Sequence, residues 1–355
     1  MVPEGKETFF WQVDKNCPDP EIIRQAGLIL RRGGLVAFPT ETVYGLGANA
    51  LDGRAVKSIF TAKGRPRDNP LIVHVASIED VYSYAGFVPQ KAGRLMEKFW
   101  PGPLTLILSD GGKISEPVSA GLPSLALRMP DHPVALDLIK EAGVPVAAPS
   151  ANISGRPSPT TANHVRMDLQ GRIDGILDGG PSGWGVESTV LDLTGEIPVI
   201  LRPGGITPED IIAVVGPVEM DISLKKNGCA PGRPRSPGMK YRHYAPSAPL
   251  VLVEGDSLEV VREIKRLARE YLDQGKIVGV LCRSGNQGQY SGVLAIAAGT
   301  VSDQASVAAQ LFDALRRFEN TGVEIILAEG VDDRGLGLAV ANRLRRAAGG
   351  NIIRV

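Results

Sequence analysis

The stretch "VPVAAPSANISGRPSP", Val144 to Pro159, is an apolar run that gives way, with no polar spacer, to a row of small hydrogen-bonding side chains. A short apolar run bounded by turn residues reads as a buried strand. A strand ending this way delivers Ser150, Asn152 and Ser154 to its carboxyl edge, and Gly155 with two prolines shapes the exit. A plain loop needs fewer such groups, whereas a cradle for an oxygen-rich ligand needs about that many. The fold that follows is an α/β sheet whose strand ends carry the chemistry.

The neighbouring sequence extends that sheet. "PDPEIIRQAGLILRRGG" is a helix with Asp19 as N-cap, Pro20 in the first turn and Gly33 past its end. "LVAFPT", "LIVHV", "LTLIL", "SLALRM", "STVLDLT" and "PVILRPG" are strands. "AVKSIFTAKG", "VPQKAGRLMEKFWPGP", "HPVALDLIKEAG" and "TPEDIIAVVG" are helices. The irregular order predicts a mixed sheet with helices packed on it, over residues 1–215. Residues 216–247 lose all period and collect prolines and basic groups around Tyr241, Arg242, His243 and Tyr244, so they read as a linker. Over 248–355 strands alternate with helices, which predicts a parallel sheet in a small Rossmann-like domain. That domain carries "GLG" at Gly335–Gly337 but no third glycine at nucleotide-binding spacing, so a helix start or close packing is the better reading.

A length of 355 residues suits two domains. Hydrophobic residues are 43%, charged residues 22% and net charge zero, which speaks against a disordered chain and a globally basic nucleic-acid binder. Cys17, Cys229 and Cys282 are scattered and odd in number, so neither a disulfide framework nor a zinc spacing is expected, in keeping with a cytoplasmic protein. There is no signal-peptide core and no apolar run of about 18 residues, so no membrane association is expected.

Four segments place polar groups at strand ends. In "FPTETVYGLG", Thr40, Glu41 and Thr42 follow a buried strand, and the glycines are expected to let the backbone turn sharply. In "TAKGRPRDNPLIVH", Lys63, Arg65 and Arg67 satisfy a helix C-terminus or, pinned by Gly64 and Pro66, grip a polyphosphate. His74 sits inside an apolar strand, where a hydrogen-bonded structural histidine is the commoner occupant. Arg128 and Arg202 each end an apolar strand, where a guanidinium needs an acid or an anionic ligand. No Ser/His/Asp order, metal-ligand pair or Walker loop occurs, and no general base accompanies Ser150. The chemistry expected is positioning and charge stabilisation of phosphates, without a covalent nucleophile.

These segments, with "FWPGPLTLIL", "LRMPDHP", "ESTVLDL", "LRPGGIT" and "SPGMKYRHYAP", run in the same order as in the L-threonylcarbamoyladenylate synthases, and the chain resembles that YrdC-like family in its long two-domain form. The resemblance covers about residues 20–247 closely and the C-terminal part more loosely. It implies a twisted mixed sheet with helices around a basic cavity, and condensation of L-threonine, bicarbonate and ATP to threonylcarbamoyl-AMP and pyrophosphate, Mg²⁺ accompanying ATP. The product would serve the threonylcarbamoyl modification of tRNA through a separate transferase complex. By motif position, Lys63, Arg65, Ser150 and Asn152 would be catalytic. ATP would touch Lys63, Arg65, Asn69, Ser124, Ser150, Ser158, Arg202 and Tyr241. Threonine would lie among Thr40, Thr42, His74, Arg128, Ala148 and Ser188, its carboxylate on Arg128. Tyr241, Arg242, His243 and Tyr244 would form a lid. No protein metal ligand is expected.

Three other readings compete. A carbamoyl-transfer enzyme of the hydrogenase-maturation type would bring zinc-finger cysteines, which are missing here. A double-stranded-RNA-binding module would use the same basic cavity; zero net charge argues against tight binding and leaves room for a weak RNA affinity. A regulator would use the C-terminal domain as a ligand sensor.

Overall fold

The computed structural model describes residues 5–225, 234–236, 243–300 and 303–355. Two sheets organise them. The first has twelve strands among the described residues and mixes parallel and antiparallel pairs. At its centre Ile72–His74 runs parallel to Ser124–Arg128, and Ser124–Arg128 runs antiparallel to Leu104–Asp110. Thr189–Asp192 continues parallel to Leu104–Asp110, and Val199–Arg202 pairs antiparallel with it. The second sheet is wholly parallel, in the order Leu294–Ala297, Val278–Cys282, Ile325–Glu329, Leu250–Glu254, Ile352–Arg354. The expected mixed and parallel sheets are therefore both present.

Local signals explain the helices. Asp19 caps Pro20–Arg31 by accepting from the Glu21 N–H. Gly64 closes Gly53–Lys63 at φ 61°, a conformation that costs glycine little. Thr207 and Asp210 form a capping box at the start of Pro208–Val215. Pro20–Arg31 and Pro133–Ala142 cover one face of the first sheet over Val36, Phe38, Val146 and Leu177. Gly53–Lys63, Gln90–Phe99 and Pro208–Val215 pack on the main core with Val73, Leu106, Leu125, Leu127 and Leu191.

Alternation along the central strands decides where the site lies. Val73, Leu125 and Leu127 enter that core. Their neighbours Ile72, His74, Ser124, Ala126 and Arg128 share the opposite face, where Ile72, Ile107, Ala126, Val190 and Leu201 form a small separate apolar floor.

Five strands of the first sheet were not legible from local pattern: Phe9–Gln12, Gly175–Asp178, Gly45–Asn49, Ala85–Phe87 and Glu219–Met220. Phe9–Gln12 runs parallel to Gly175–Asp178 at one edge. The third corrects the reading of "YGLG". Gly45–Asn49 is a strand, antiparallel to both Val36–Phe38 and Val146–Ala147. A Cβ on Gly47 would lie 2.9 Å from Val146 Cγ1 and 3.0 Å from Phe38 Cε1. The glycine thus permits close approach of side chains from both neighbouring strands. The turn is made instead by Thr40, whose Oγ1 donates to the Val43 carbonyl at 2.6 Å and accepts from the Val43 N–H at 3.3 Å.

Candidate active site

A cavity partly open to solvent lies over the face of the first sheet that carries His74 and Arg128. Thr40, Arg65, His74, Arg128, Ala148, Ser150, Arg202, His243 and Tyr244 all line it. Four distant segments thus converge, because each ends a strand or loop on one side of the sheet.

The guanidinium groups are fixed from behind. Arg128, almost fully buried, contacts Glu41 Oε1 at 2.7 Å and donates to Thr42 Oγ1 at 3.0 Å and to the Gly102 carbonyl at 3.3 Å. The Glu41 contact is poorly directed, so that carboxylate accepts no hydrogen bond among the described residues. Arg202 donates to the Ser188 carbonyl at 3.0 Å and to Ser188 Oγ at 3.1 Å, and Ser188 is braced in turn by Thr105 at 2.7 Å. Arg65 donates to the Pro70 carbonyl at 3.1 Å. Among the described residues, guanidinium groups outnumber carboxylates here, so the cavity suits anions.

The Ser150 loop is held from within. Ser150 Oγ donates to Asn152 Oδ1 at 2.6 Å, and Asn152 Nδ2 donates to the Ile153 and Arg156 carbonyls at 2.8 and 2.9 Å. Lys63 Nζ donates to the Ser150 carbonyl at 2.5 Å and to the Asn152 carbonyl. This differs from the expectation of a cation facing phosphate. Lys63 is 1% exposed, lies behind the loop and does not line the cavity. Burial, and then Arg65, push its ammonium well below its usual range.

Thr42, Asn69, Ser124, Ser158 and Ser188, also expected in the site, do not line the cavity. Ser158 Oγ donates to Glu187 Oε1 at 2.5 Å, and Thr42 and Ser188 brace the two arginines. Asn69 is buried, and its carbonyl lies 3.4 Å from Arg65 Nη2. Ser124 stands four residues before Arg128, on the same face, about 13 Å along the strand. His74 packs edge-on against Phe38, and its Nδ1 is buried with no partner among the described residues. Burial, and then Arg128, lower its pKa to about 3, so the ring stays neutral.

Of the expected lid, Tyr241 and Arg242 lie outside the described residues. Tyr244 stacks on Phe312 at 5.2 Å, and Arg343 sits 5.5 Å above its ring. His243 is lowered to about 3 by burial and then Arg65.

Sequence reading missed what the second sheet's domain contributes. Arg343, fully buried, donates to Glu187 Oε2 at 2.8 Å and to the Pro203 carbonyl at 2.8 Å. Arg316 pairs with buried Asp168 at 2.8 Å and donates to the Pro157 carbonyl at 2.6 Å. Arg156 bridges Asp168 and Glu319. The available signal was a charge on an apolar stripe: Arg343 falls between Ala339, Val340 and Ala347, and Arg316 follows Phe312 by one turn.

A family model described as "Telomere recombination" matches residues 28–204, and one described as "Threonylcarbamoyl-AMP synthase, C-terminal domain" matches residues 206–349. The chain is 54% identical to the threonylcarbamoyl-AMP synthase of Bacillus subtilis, covering 95% of each, and 51% identical to that of Pyrococcus abyssi, covering 94% of this chain and 96% of the relative. A crystal structure of P. abyssi Sua5 complexed with L-threonine superposes with a TM-score of 0.93 at 48% identity, over 98% of this chain and 100% of that one. A variant of the same protein, with a histidine and the adjacent tyrosine changed to alanine, superposes with a TM-score of 0.89 over 98% of each chain.

Proposed function

This chain belongs to the threonylcarbamoyl-AMP synthases, ATP-dependent nucleotidyl-transferring enzymes of tRNA modification, and we propose how its one cavity divides their substrates. Threonine occupies the part bounded by Thr40, His74, Arg128 and Ala148. Its carboxylate takes the free edge of Arg128, whose far side Glu41 and Thr42 already hold. Neutral His74 offers its unpartnered Nδ1 without adding charge. ATP lies across Arg65, Ser150 and Arg202, with its nucleoside towards Ser124.

The threonine amine adds to a bicarbonate carbon, water leaves, and a carbamate forms. A carbamate oxygen then attacks the α-phosphorus of ATP, the bond to the β-phosphate oxygen breaks, and pyrophosphate departs with the electron pair. Arg65 and Arg202 neutralise charge as it builds on the phosphates. Lys63 and Asn152 act by shaping the Ser150 loop, and Ser158 and Ser188 by holding Glu187 and Arg202. His243 and Tyr244 close the cavity against water, which would destroy the mixed anhydride. The only adjacent His–Tyr pair in this sequence is His243–Tyr244, the kind of pair altered in the P. abyssi variant.

Among the described residues no group of three or more His, Cys, Asp or Glu could hold a metal, and Glu41 and Glu187 are engaged by arginines. The described residues therefore do not make a metal site of their own. A Mg²⁺ ion would come with ATP and would supply charge neutralisation, with no protein ligand needed. No helix among the described residues is long and apolar enough to cross a membrane. The product passes in the cytoplasm to a separate tRNA transferase, and 216–247 separates the catalytic from the accessory unit.

The convergence of Arg65, Arg128 and Arg202 on one cavity carries this reading. Pyrophosphate release should need both threonine and bicarbonate. Arg128→Ala should raise KM for threonine at least about tenfold with little change for ATP, and Arg202→Ala the reverse. The opposite pattern would refute the division.

A further inference from the structure

The parallel sheet of the C-terminal domain has a topological switch point that the synthase reaction does not use. From Val278–Cys282 the chain moves outward to the edge strand Leu294–Ala297. From the adjacent strand Ile325–Glu329 it crosses to the opposite edge strand, Ile352–Arg354. Connections leaving neighbouring parallel strands in opposite directions open a crevice at their carboxyl ends, the usual ligand position in open α/β sheets.

A cavity of about 240 Å³, partly open to solvent, lies there, lined by Arg283 after one strand and by Val331 and Asp332 after the other. Gln304, Val307, Gly337 and Val340 complete it. Gly337 belongs to the "GLG" segment. A Cβ on it would lie 2.0 Å from the Asp332 carbonyl oxygen, so close packing does account for that glycine, and the packing forms one wall of the crevice.

Arg283 is built into place rather than left on the surface. Its Nε donates to Glu329 at 2.9 Å and its Nη2 to Ser257 at 3.0 Å. Glu329 is buried and also accepts from Tyr290 Oη at 2.6 Å and Asn286 Nδ2 at 3.0 Å. Arg283 Nη1 has no partner among the described residues. Gln304 Oε1 accepts the Gly337 N–H at 3.0 Å, which leaves its amide Nε2 as a second donor. Two fixed donors suit a phosphate, three valines suit the face of a planar base, and Asp332 at the rim suits sugar hydroxyls.

We propose that this crevice is a second nucleotide site, taking a nucleoside monophosphate. The test is a calorimetric titration of the full-length protein with AMP. Wild type should bind one more AMP per chain than Val331→Trp, which fills the crevice away from the catalytic cavity. Arg283→Gln should weaken that same site at least about tenfold. Equal stoichiometry in wild type and Val331→Trp would overturn the proposal. So would inorganic phosphate binding the crevice as tightly as AMP, because the base and sugar would then contribute nothing. If Arg283→Gln unfolds, the Val331→Trp comparison decides alone.

Discussion

Replacing Arg343 with methionine tests whether the C-terminal domain is structurally part of the cavity. Arg343 is fully buried and reaches Glu187, which is 6% exposed, from 156 residues later in the chain. Burial alone would raise the Glu187 pKa. Arg343, then Arg202 and the Ser158 hydrogen bond, hold it below its ordinary range instead. Arg343→Met leaves that carboxylate buried with only Ser158 and the field of Arg202, and it strands the Pro203 carbonyl. Removing one partner of a buried pair costs about 3–5 kcal/mol, so urea unfolding should show a loss of that size. The double variant Arg343→Met/Glu187→Gln should recover part of it, since no buried charge then remains uncompensated.

Glu187 is depressed in the folded wild type, so its contribution is present above the ordinary glutamate range and is lost as pH falls through the depressed value. In Arg343→Met its main opposing attraction is gone and the folded value rises. Protonation then relieves the buried charge, so the gap between wild type and variant should narrow from about pH 7 to about pH 4. A single-variant loss below about 1 kcal/mol, or a double variant less stable than the single, would refute this account.

Two further outcomes follow from the cavity. Lys63→Met should lower kcat/KM by roughly two orders of magnitude, because the Ser150 and Asn152 carbonyls lose their common donor; a variant with near wild-type kinetics would show that the loop holds its shape without it. His74 takes no proton in the folded state until about pH 3, while the unfolded chain takes one near pH 6.5. Wild type should therefore lose up to about 1.4 kcal/mol per pH unit between those values, and His74→Gln should flatten that slope in unfolding titrations. Parallel slopes would mean His74 is protonated in the fold.

Sequence alone determined the elements whose causes are local. Asp19, Gly64 and Thr207 set helix ends through hydrogen bonds and backbone freedom within a few residues. Alternating strand and helix patterns in the last hundred residues required the parallel sheet. The polar strand exits at Thr40, Arg128, Ser150 and Arg202 marked the cavity, because a buried strand ending in such groups needs a ligand or partner for them. Tertiary structure decided which partner each charge meets. Lys63 could have faced phosphate or backbone, and the packing of its helix under the Ser150 loop turned it to carbonyls. Gly45 and Gly47 became strand because Phe38 and Val146 approach from both sides. Arg343 and Arg316 became partners of Glu187 and Asp168 because two helix faces dock on the first sheet's loops. Caps and periodicity act over one or two turns, whereas the satisfaction of a buried charge depends on whichever group long-range packing brings within about 3 Å.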